Sequence, residues 1–265
     1  MARITRFAPS PTGPLHLGHA FAALTAAARG DQFLIRIEDI DQTRCKPAYE
    51  QAIYDDLHWL GLTWQIPTLR QSTRSTAYQT ALDQLSDLGL TYHCICTRAD
   101  IRAAMPTFLS APQGAAETPY PGTCRNAGHA SGALRLNMAR ATATLPDLDF
   151  IESGQHHRFN PRQLADDIIL SRRDIGTAYH LAVVVDDAFQ GITEVTRGQD
   201  LLSATPLQVT LQHLLALPTP LYHHHRLIRD DQGKRLAKRD DARALARYRA
   251  EGSTPQDIRR MIGLA

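Results

Sequence analysis

The sequence predicts an α/β fold built on a parallel sheet, and three observations predict it. A short run that alternates polar and apolar residues, Arg3 to Phe7, is followed by a proline-rich turn and then by a strongly helix-forming run, His19 to Arg29, that Gly30 closes. A second run, Gln32-Phe33-Leu34-Ile35-Arg36-Ile37-Glu38-Asp39, is mostly apolar, as a strand covered on both faces is, and it completes a strand, helix, strand crossover. Far downstream, Tyr179-His180-Leu181-Ala182-Val183-Val184-Val185-Asp186-Asp187 reads as another buried strand, after a stretch that looks inserted, with residues 106–133 rich in Pro, Gly, Ala, Ser and Thr.

Composition sets the outer limits. With 265 residues, 43% hydrophobic and 21% charged, the chain can bury a sizeable core in one large domain or two smaller ones. No apolar signal segment stands at the N-terminus, and no apolar run approaches the roughly 20 residues that a membrane span needs, so a cytoplasmic location without membrane association is expected. A net charge of +2 and a pI near 8.4 permit a nucleic-acid partner without requiring one.

The first turn, Arg6-Phe7-Ala8-Pro9-Ser10-Pro11-Thr12-Gly13-Pro14-Leu15-His16-Leu17-Gly18-His19, reads as a phosphate site. Pro9, Pro11, Gly13 and Pro14 exclude regular structure, so a helix can resume only beyond Pro14 and both histidines fall at its N-terminus. There the unpaired N–H groups and the positive end of the helix dipole attract anions, the imidazoles add donors, and Gly18 lets a flat ring or a phosphate approach the backbone. In an open parallel sheet ligands sit beyond the carboxyl ends of the strands, which is where Arg6 and Glu38 both emerge. Pro47 to Leu60 and Ser72 to Leu88 read as amphipathic scaffold helices, with Ala52, Ile53, Leu57 and Leu60 on one stripe and Tyr78, Leu82, Leu85 and Leu88 on the other.

Of four cysteines, Cys45, Cys94, Cys96 and Cys124, the last three cluster. Without a secretion signal they read as reduced thiols or as ligands of a structural zinc, whose fourth ligand would be Tyr120, His93 or His129. Leu134 to Met138 and Asp147 to Glu152 alternate as strands do. Arg197 ends a further strand, and Thr205-Pro206 opens a helix with Leu207, Leu211, Leu214 and Leu215 facing the core. His223, His224 and His225 follow one another on an extended run, so they point to alternate faces and do not form one ligand set. A basic loop, Arg235-Leu236-Ala237-Lys238-Arg239, precedes two short helices, Ala242 to Glu251 and Thr254 to Ile262.

Several of these stretches resemble a known family. His16-Leu17-Gly18-His19 is similar to the His-Ile-Gly-His signature of class I aminoacyl-tRNA synthetases, and Arg6 to Gly13 resembles the opening of their glutamate-specific branch. Arg36-Ile37-Glu38-Asp39-Ile40-Asp41, Tyr179 to Asp187 and Arg197-Gly198-Gln199-Asp200-Leu201 resemble its later pocket segments. Arg235 to Arg239 stands where the family carries Lys-Met-Ser-Lys-Ser, with Arg235 and Ala237 as departures and Lys238 matching the second lysine.

The resemblance implies a Rossmann-type class I synthetase fold with an inserted acceptor-side subdomain that carries the zinc. The catalytic domain would occupy residues 1–91 and 179–240, the insert 92–178 and a helical tail 241–265. It implies that ATP meets His16, Gly18, His19 and Lys238, with His16, His19 and Lys238 catalytic, and that Mg2+ accompanies ATP. L-glutamate would meet Arg6, Phe7, Ala8, Pro9, Ser10, Glu38, Tyr179 and Arg197. Two guanidinium forks suit two carboxylates and Glu38 suits the α-ammonium, while the sequence leaves open which arginine takes which carboxylate. By the same resemblance zinc is held by Cys94, Cys96, Tyr120 and Cys124, in a structural role.

The 26 residues after Arg239 cannot build the anticodon-binding domain of a full glutamyl-tRNA synthetase. By the same resemblance, a monomeric catalytic core without that domain is expected to form glutamyl-adenylate and to transfer glutamate to the queuosine nucleoside in the anticodon of tRNA-Asp. The rivals are a truncated synthetase that charges the tRNA 3′ end and a non-catalytic nucleotide- or RNA-binding paralogue.

Overall fold

Strand β1 (Ile4–Phe7) and helix α1 (Leu17–Arg29) lead into β2 (Gln32–Ile37), which pairs parallel to β1 with Ile4 opposite Gln32 and Phe7 opposite Ile35. The first crossover expected from the sequence is thus present. This computed structural model describes residues 2–104, 120–164, 166–174, 176–229 and 243–264. Helix α2 (Pro47–Trp59) has proline in its first turn, and Gly61, at φ 81°, turns the chain where an L side chain would be strained. The short β3 (Leu69–Arg70) then joins β2 in parallel and leads into α3 (Ser75–Asp87).

The next elements are β4 (Thr91–Cys94), α4 (Arg98–Ala103), β5 (Ala133–Leu136), α5 (Met138–Thr142), β6 (Leu148–Glu152), β7 (Gln155–Phe159), β8 (Ile169–Arg172) and β9 (Gly176–Thr177). Strands β4, β5, β8 and β9 form a separate antiparallel sheet, in the order β4-β5-β8-β9. The hairpin β6–β7 goes elsewhere. Helix α6 (Tyr179–Phe189), β10 (Glu194–Gly198), α7 (Thr205–Leu214) and β11 (Leu221–His225) return the chain to a parallel arrangement, where β10 and β11 are parallel and the hairpin adds beyond β11. Helices α8 (Leu245–Ala250) and α9 (Pro255–Met261) close the described chain. Among the described residues no helix is long and apolar enough to cross a membrane.

Strand β1 runs beside β10 in the same direction: the Thr193 amide donates to the Ile4 carbonyl at 3.0 Å, and Arg6 Nη1 to the Thr196 carbonyl at 3.2 Å. The carboxyl ends of β1, β2, β10 and β11 therefore open on one side. Alternation along the strands divides the core. Phe33, Ile35 and Ile37 pack with α1, α2, α8 and α9, whereas Ile4 and Leu34 pack with Val195, Tyr222 and Val209 of α7 on the opposite face.

Two sequence expectations are corrected. Tyr179 to Asp187 is not a strand but the first nine residues of α6, with Leu181, Ala182, Val183, Val184, Asp186 and Asp187 all buried. A helix covered on several faces shows the same unbroken apolar run as a buried strand, and tertiary burial outweighs the β preference of the three valines. Leu88 is 54% exposed rather than part of the α3 stripe. Gly89, at φ 66°, reverses the chain, and Leu90 returns its amide to the Leu85 carbonyl and takes the inner position.

Candidate active site

The signature turn is fixed to its surroundings by main-chain bonds. Pro9 O accepts from the Glu38 amide and Pro11 O from the Lys46 amide, both at 3.0 Å, while Leu15 O accepts from Leu245 N at 2.8 Å and His16 bridges to Ala244. His16 is the N-cap of α1. Its Nδ1 accepts from the Gly18 amide at 3.1 Å, and His19 Nδ1 accepts from the His16 amide at 3.1 Å, a reciprocal capping box built from two histidines. Because each Nδ1 is an acceptor, each neutral ring carries its proton on Nε2 and offers that N–H as a donor. The rings lie 3.8 Å apart. A Cβ on Gly18 would stand 3.0 Å from His16 Cε1, so the glycine admits the cap imidazole itself against the backbone.

At the end of β1, Arg6 is buried and bound to Asp187 of α6, with Nε to Oδ1 at 2.9 Å and Nη2 to Oδ2 at 3.4 Å. Arg36 of β2, fully buried, shares that carboxylate at 2.7 Å and reaches Gln190 at 3.1 Å and Glu38 at 3.5 Å. Burial opposes ionisation of Asp187, but two guanidinium groups outweigh it and hold its pKa down at about 2. Arg36 is likewise held above its ordinary range by Asp187 and Glu38 despite burial. Glu38 goes the other way: burial raises its pKa more than Arg36 and Arg6 lower it.

Tyr179, at the start of α6, is 36% exposed. Surrounding protein and the nearby Glu38 raise its phenol pKa, against Arg197 and Arg6. Arg197, near the end of β10, is buried at 6% exposure. Its Nε donates to His224 Nε2 at 2.9 Å, Nη1 to Gln208 Oε1 at 2.6 Å, and Nη2 to Thr205 Oγ1 at 2.8 Å and the Leu201 carbonyl at 3.4 Å. All these partners are neutral. Burial pushes the Arg197 pKa down, and Arg6 adds to that. His180, beside Gln208, is lowered to about 4 by burial and by Arg197, so it is neutral.

Tyr179 thus stands near enough to Glu38, Arg6 and Arg197 for their charges to act on its phenol, and Arg6 acts on Arg197 as well, while His16 and His19 stand at the N-terminus of α1. Phe7 and Pro9 are buried, Phe7 in the core, so Phe7 offers a ligand only its backbone, while Ala8 and Ser10 are half-buried. Lys238, with Arg235 and Ala237, lies outside the described residues. Sequence reasoning missed Asp187, Arg36, Gln208 and His224 as partners of the site. The signal for Asp187 was helical spacing, since positions 186 and 187 share the face of Tyr179 two turns on.

The cysteine cluster stands apart, at the edge of the small sheet. The sulfurs of Cys94, Cys96 and Cys124 lie within 4.8 Å of one another, and among the described residues no histidine or carboxylate joins them. The Tyr120 hydroxyl is 3.4 Å from Cys94 Sγ and 3.8 Å from Cys96 Sγ. Three thiols and a phenol converging at these distances fit a tetrahedral ion with Zn–S bonds of about 2.3 Å. Burial raises Cys124, but hydrogen bonds from Tyr120, from the Ile95 amide and from the other two thiols bring it down to about 6, so a thiolate forms readily there.

Residues 3–265 match the family model for the catalytic domain of class I tRNA synthetases (E and Q). A protein of Rhodobacter capsulatus named glutamyl-Q tRNA(Asp) synthetase is 54% identical, over 98% of this chain and 100% of its own length. One of the same name from Nocardia farcinica is 43% identical, over 96% of this chain and 81% of its own length. Among solved structures, a glutamate tRNA ligase from Elizabethkingia meningosepticum in complex with its amino acid superposes with a TM-score of 0.77 at 26% identity. All of this chain is covered, and it spans 61% of the length of that ligase.

Proposed function

From the premise that the chain belongs to the family of class I tRNA synthetases for glutamate and glutamine, we propose that it activates L-glutamate with ATP and transfers it to the queuosine nucleoside in the anticodon of tRNA-Asp. One observation carries the choice of amino acid: Arg197 is a buried cation whose hydrogen-bond partners are all neutral. A buried charge left without an opposite charge is costly, and an anionic ligand relieves that cost. Arg6, oriented by Asp187, supplies a second guanidinium. Glutamate has two carboxylates to meet them, and Glu38 meets the α-ammonium, with Tyr179 as a wall of the pocket.

In the reaction a glutamate α-carboxylate oxygen bonds to the α-phosphorus of ATP, the bond to the β-phosphate oxygen breaks, and pyrophosphate leaves. A queuosine hydroxyl then attacks the carbonyl of the mixed anhydride, loses its proton and expels AMP. No nucleophilic side chain is needed. His16 and His19 donate from Nε2 to phosphate oxygens at the α1 terminus, where the dipole also favours negative charge, and by the family resemblance Lys238 would add charge to the triphosphate. Mg2+ accompanying ATP would screen the charge of the triphosphate. Cys94, Cys96, Tyr120 and Cys124 would hold a zinc that braces the small sheet away from the chemistry. The expected setting is a monomer in the cytoplasm, where tRNA and ATP are.

The names of the relatives support the queuosine acceptor. The test offers labelled glutamate with two RNAs: tRNA-Asp shortened at its 3′ end, and tRNA-Asp from cells unable to make queuosine. Labelling of the first alone is expected. Labelling of the second alone would replace this reading with ordinary 3′-end charging.

A further inference from the structure

Arg197 is held by a chain of bonds that reaches back into the β6–β7 hairpin. Its Nε–H can only donate, so His224 Nε2, at 2.9 Å, is an acceptor and carries no proton. The proton of the neutral ring is therefore on Nδ1, which meets Glu152 Oε2 at 2.6 Å. The other carboxylate oxygen, Oε1, accepts the backbone N–H of His224 at 2.9 Å. The His224 side chain is 2% exposed and that of Glu152 is 13% exposed.

We infer that Glu152 and His224 are positioning residues for glutamate recognition: the carboxylate fixes the imidazole tautomer, and the imidazole fixes the plane of Arg197 without neutralising it. This rests on the reading of Arg197 as a glutamate ligand. A carboxylate in direct contact would orient the guanidinium equally well, but it would also satisfy the charge that has to attract the substrate. An imidazole between the two passes on direction and leaves the charge available. Arg6 shows the contrast, since Asp187 both orients it and balances it. Two acceptor oxygens are needed at position 152, because two donors of the same histidine converge there. A glutamine has one: with its amide NH2 toward the backbone N–H that bond is lost, and with it toward Nδ1 the ring is driven to the tautomer protonated on Nε2, donor against donor with Arg197.

The test compares Glu152→Gln with Arg197→Ala in glutamate-dependent ATP–pyrophosphate exchange. For Glu152→Gln the KM for glutamate should rise about 10- to 100-fold, as for a misplaced binding group, with the KM for ATP unchanged. An unchanged glutamate KM in Glu152→Gln, while Arg197→Ala raises it, would overturn the positioning role and leave the glutamate reading standing. An unchanged KM in Arg197→Ala would overturn both. Nitrogen-15 spectra of the histidine rings in the native protein decide the matter even if the variant does not fold. His224 should be neutral and protonated on Nδ1 at neutral pH, and a ring protonated on Nε2 would overturn the inference.

Discussion

Arg6 Nε donates to Asp187 Oδ1 at 2.9 Å across 181 residues of chain, and the bond joins the first strand of the sheet to α6. Arg36 meets the same oxygen from the neighbouring strand, so one carboxylate anchors two cations.

Asp187→Asn should therefore cost about 3–5 kcal/mol, the scale for stranding buried charge, and chemical denaturation measures it. The native carboxylate is held at about 2, below the ordinary value of about 3.9. A depressed pKa stabilises the fold above the unfolded value, so this contribution should be complete above roughly pH 4 and vanish as pH falls through about 2. A variant with the wild-type denaturation midpoint would show that the triad adds nothing to stability.

Gly18→Ala tests the histidine cap. The new methyl would meet the His16 ring at 3.0 to 3.1 Å, and because that ring closes the first turn of α1 it must swing away. Loss of the cap should cost about 1 kcal/mol of stability, and the KM for ATP should rise while that for glutamate stays close to its value. Equal effects on both substrates would point to general loosening instead.

The thiol cluster should hold one zinc per chain in freshly purified reduced protein, measured by mass spectrometry of the metal. Cys124→Ser should lose the metal and melt earlier. Tyr120→Phe should bind more weakly, because the phenol oxygen stands 3.4 Å from one sulfur and 3.8 Å from another. Metal-free protein that melts like the wild type would refute the site.

A fourth test concerns Asp56, buried in α2, neither of whose carboxylate oxygens has a hydrogen-bond partner among the described residues. Burial raises its pKa to about 6, against the single cation Arg249 of α8 at 3.5 Å. Here the folded pKa is the higher one, so the stability this group contributes is present below about pH 4 and is lost as pH rises through about 6. Asp56→Asn should flatten that decline in melting temperature and be more stable at pH 8 by about 1–2 kcal/mol, a figure reduced because Arg249 is partly solvated. A wild-type melting temperature that does not fall between pH 5 and pH 8 would contradict the assignment.

The helix start at His16 and the glycine stops were legible in the sequence because each depends on neighbours within a few residues, and the parallel pairing of β1 with β2 because a helix joins two consecutive strands. Helix α6 was not. Val183 to Val185 favour a strand locally, and only the protein around them makes a helix there. Arg6, Glu38, Tyr179 and Arg197 were singled out through motifs, and in the structure the charges of the other three act on the Tyr179 phenol. Their supports, Asp187 for Arg6 and the pair Glu152 and His224 for Arg197, lie on other elements, 72 residues apart in the case of the pair. No local pattern announces such a partner, and the three consecutive histidines concealed one, because each serves a different neighbour: Ser153, Glu152 and the Arg226 carbonyl.

Arg197 has a consequence for how this protein can change over time. A cation dehydrated among neutral dipoles lowers the stability of the empty protein, and ligand binding restores part of what is lost. An apolar residue of similar volume at position 197 would on these grounds give a more stable and inactive chain. Selection for heat resistance alone would therefore erode this position early, and an arginine persisting there in a lineage records that the pocket is still in use.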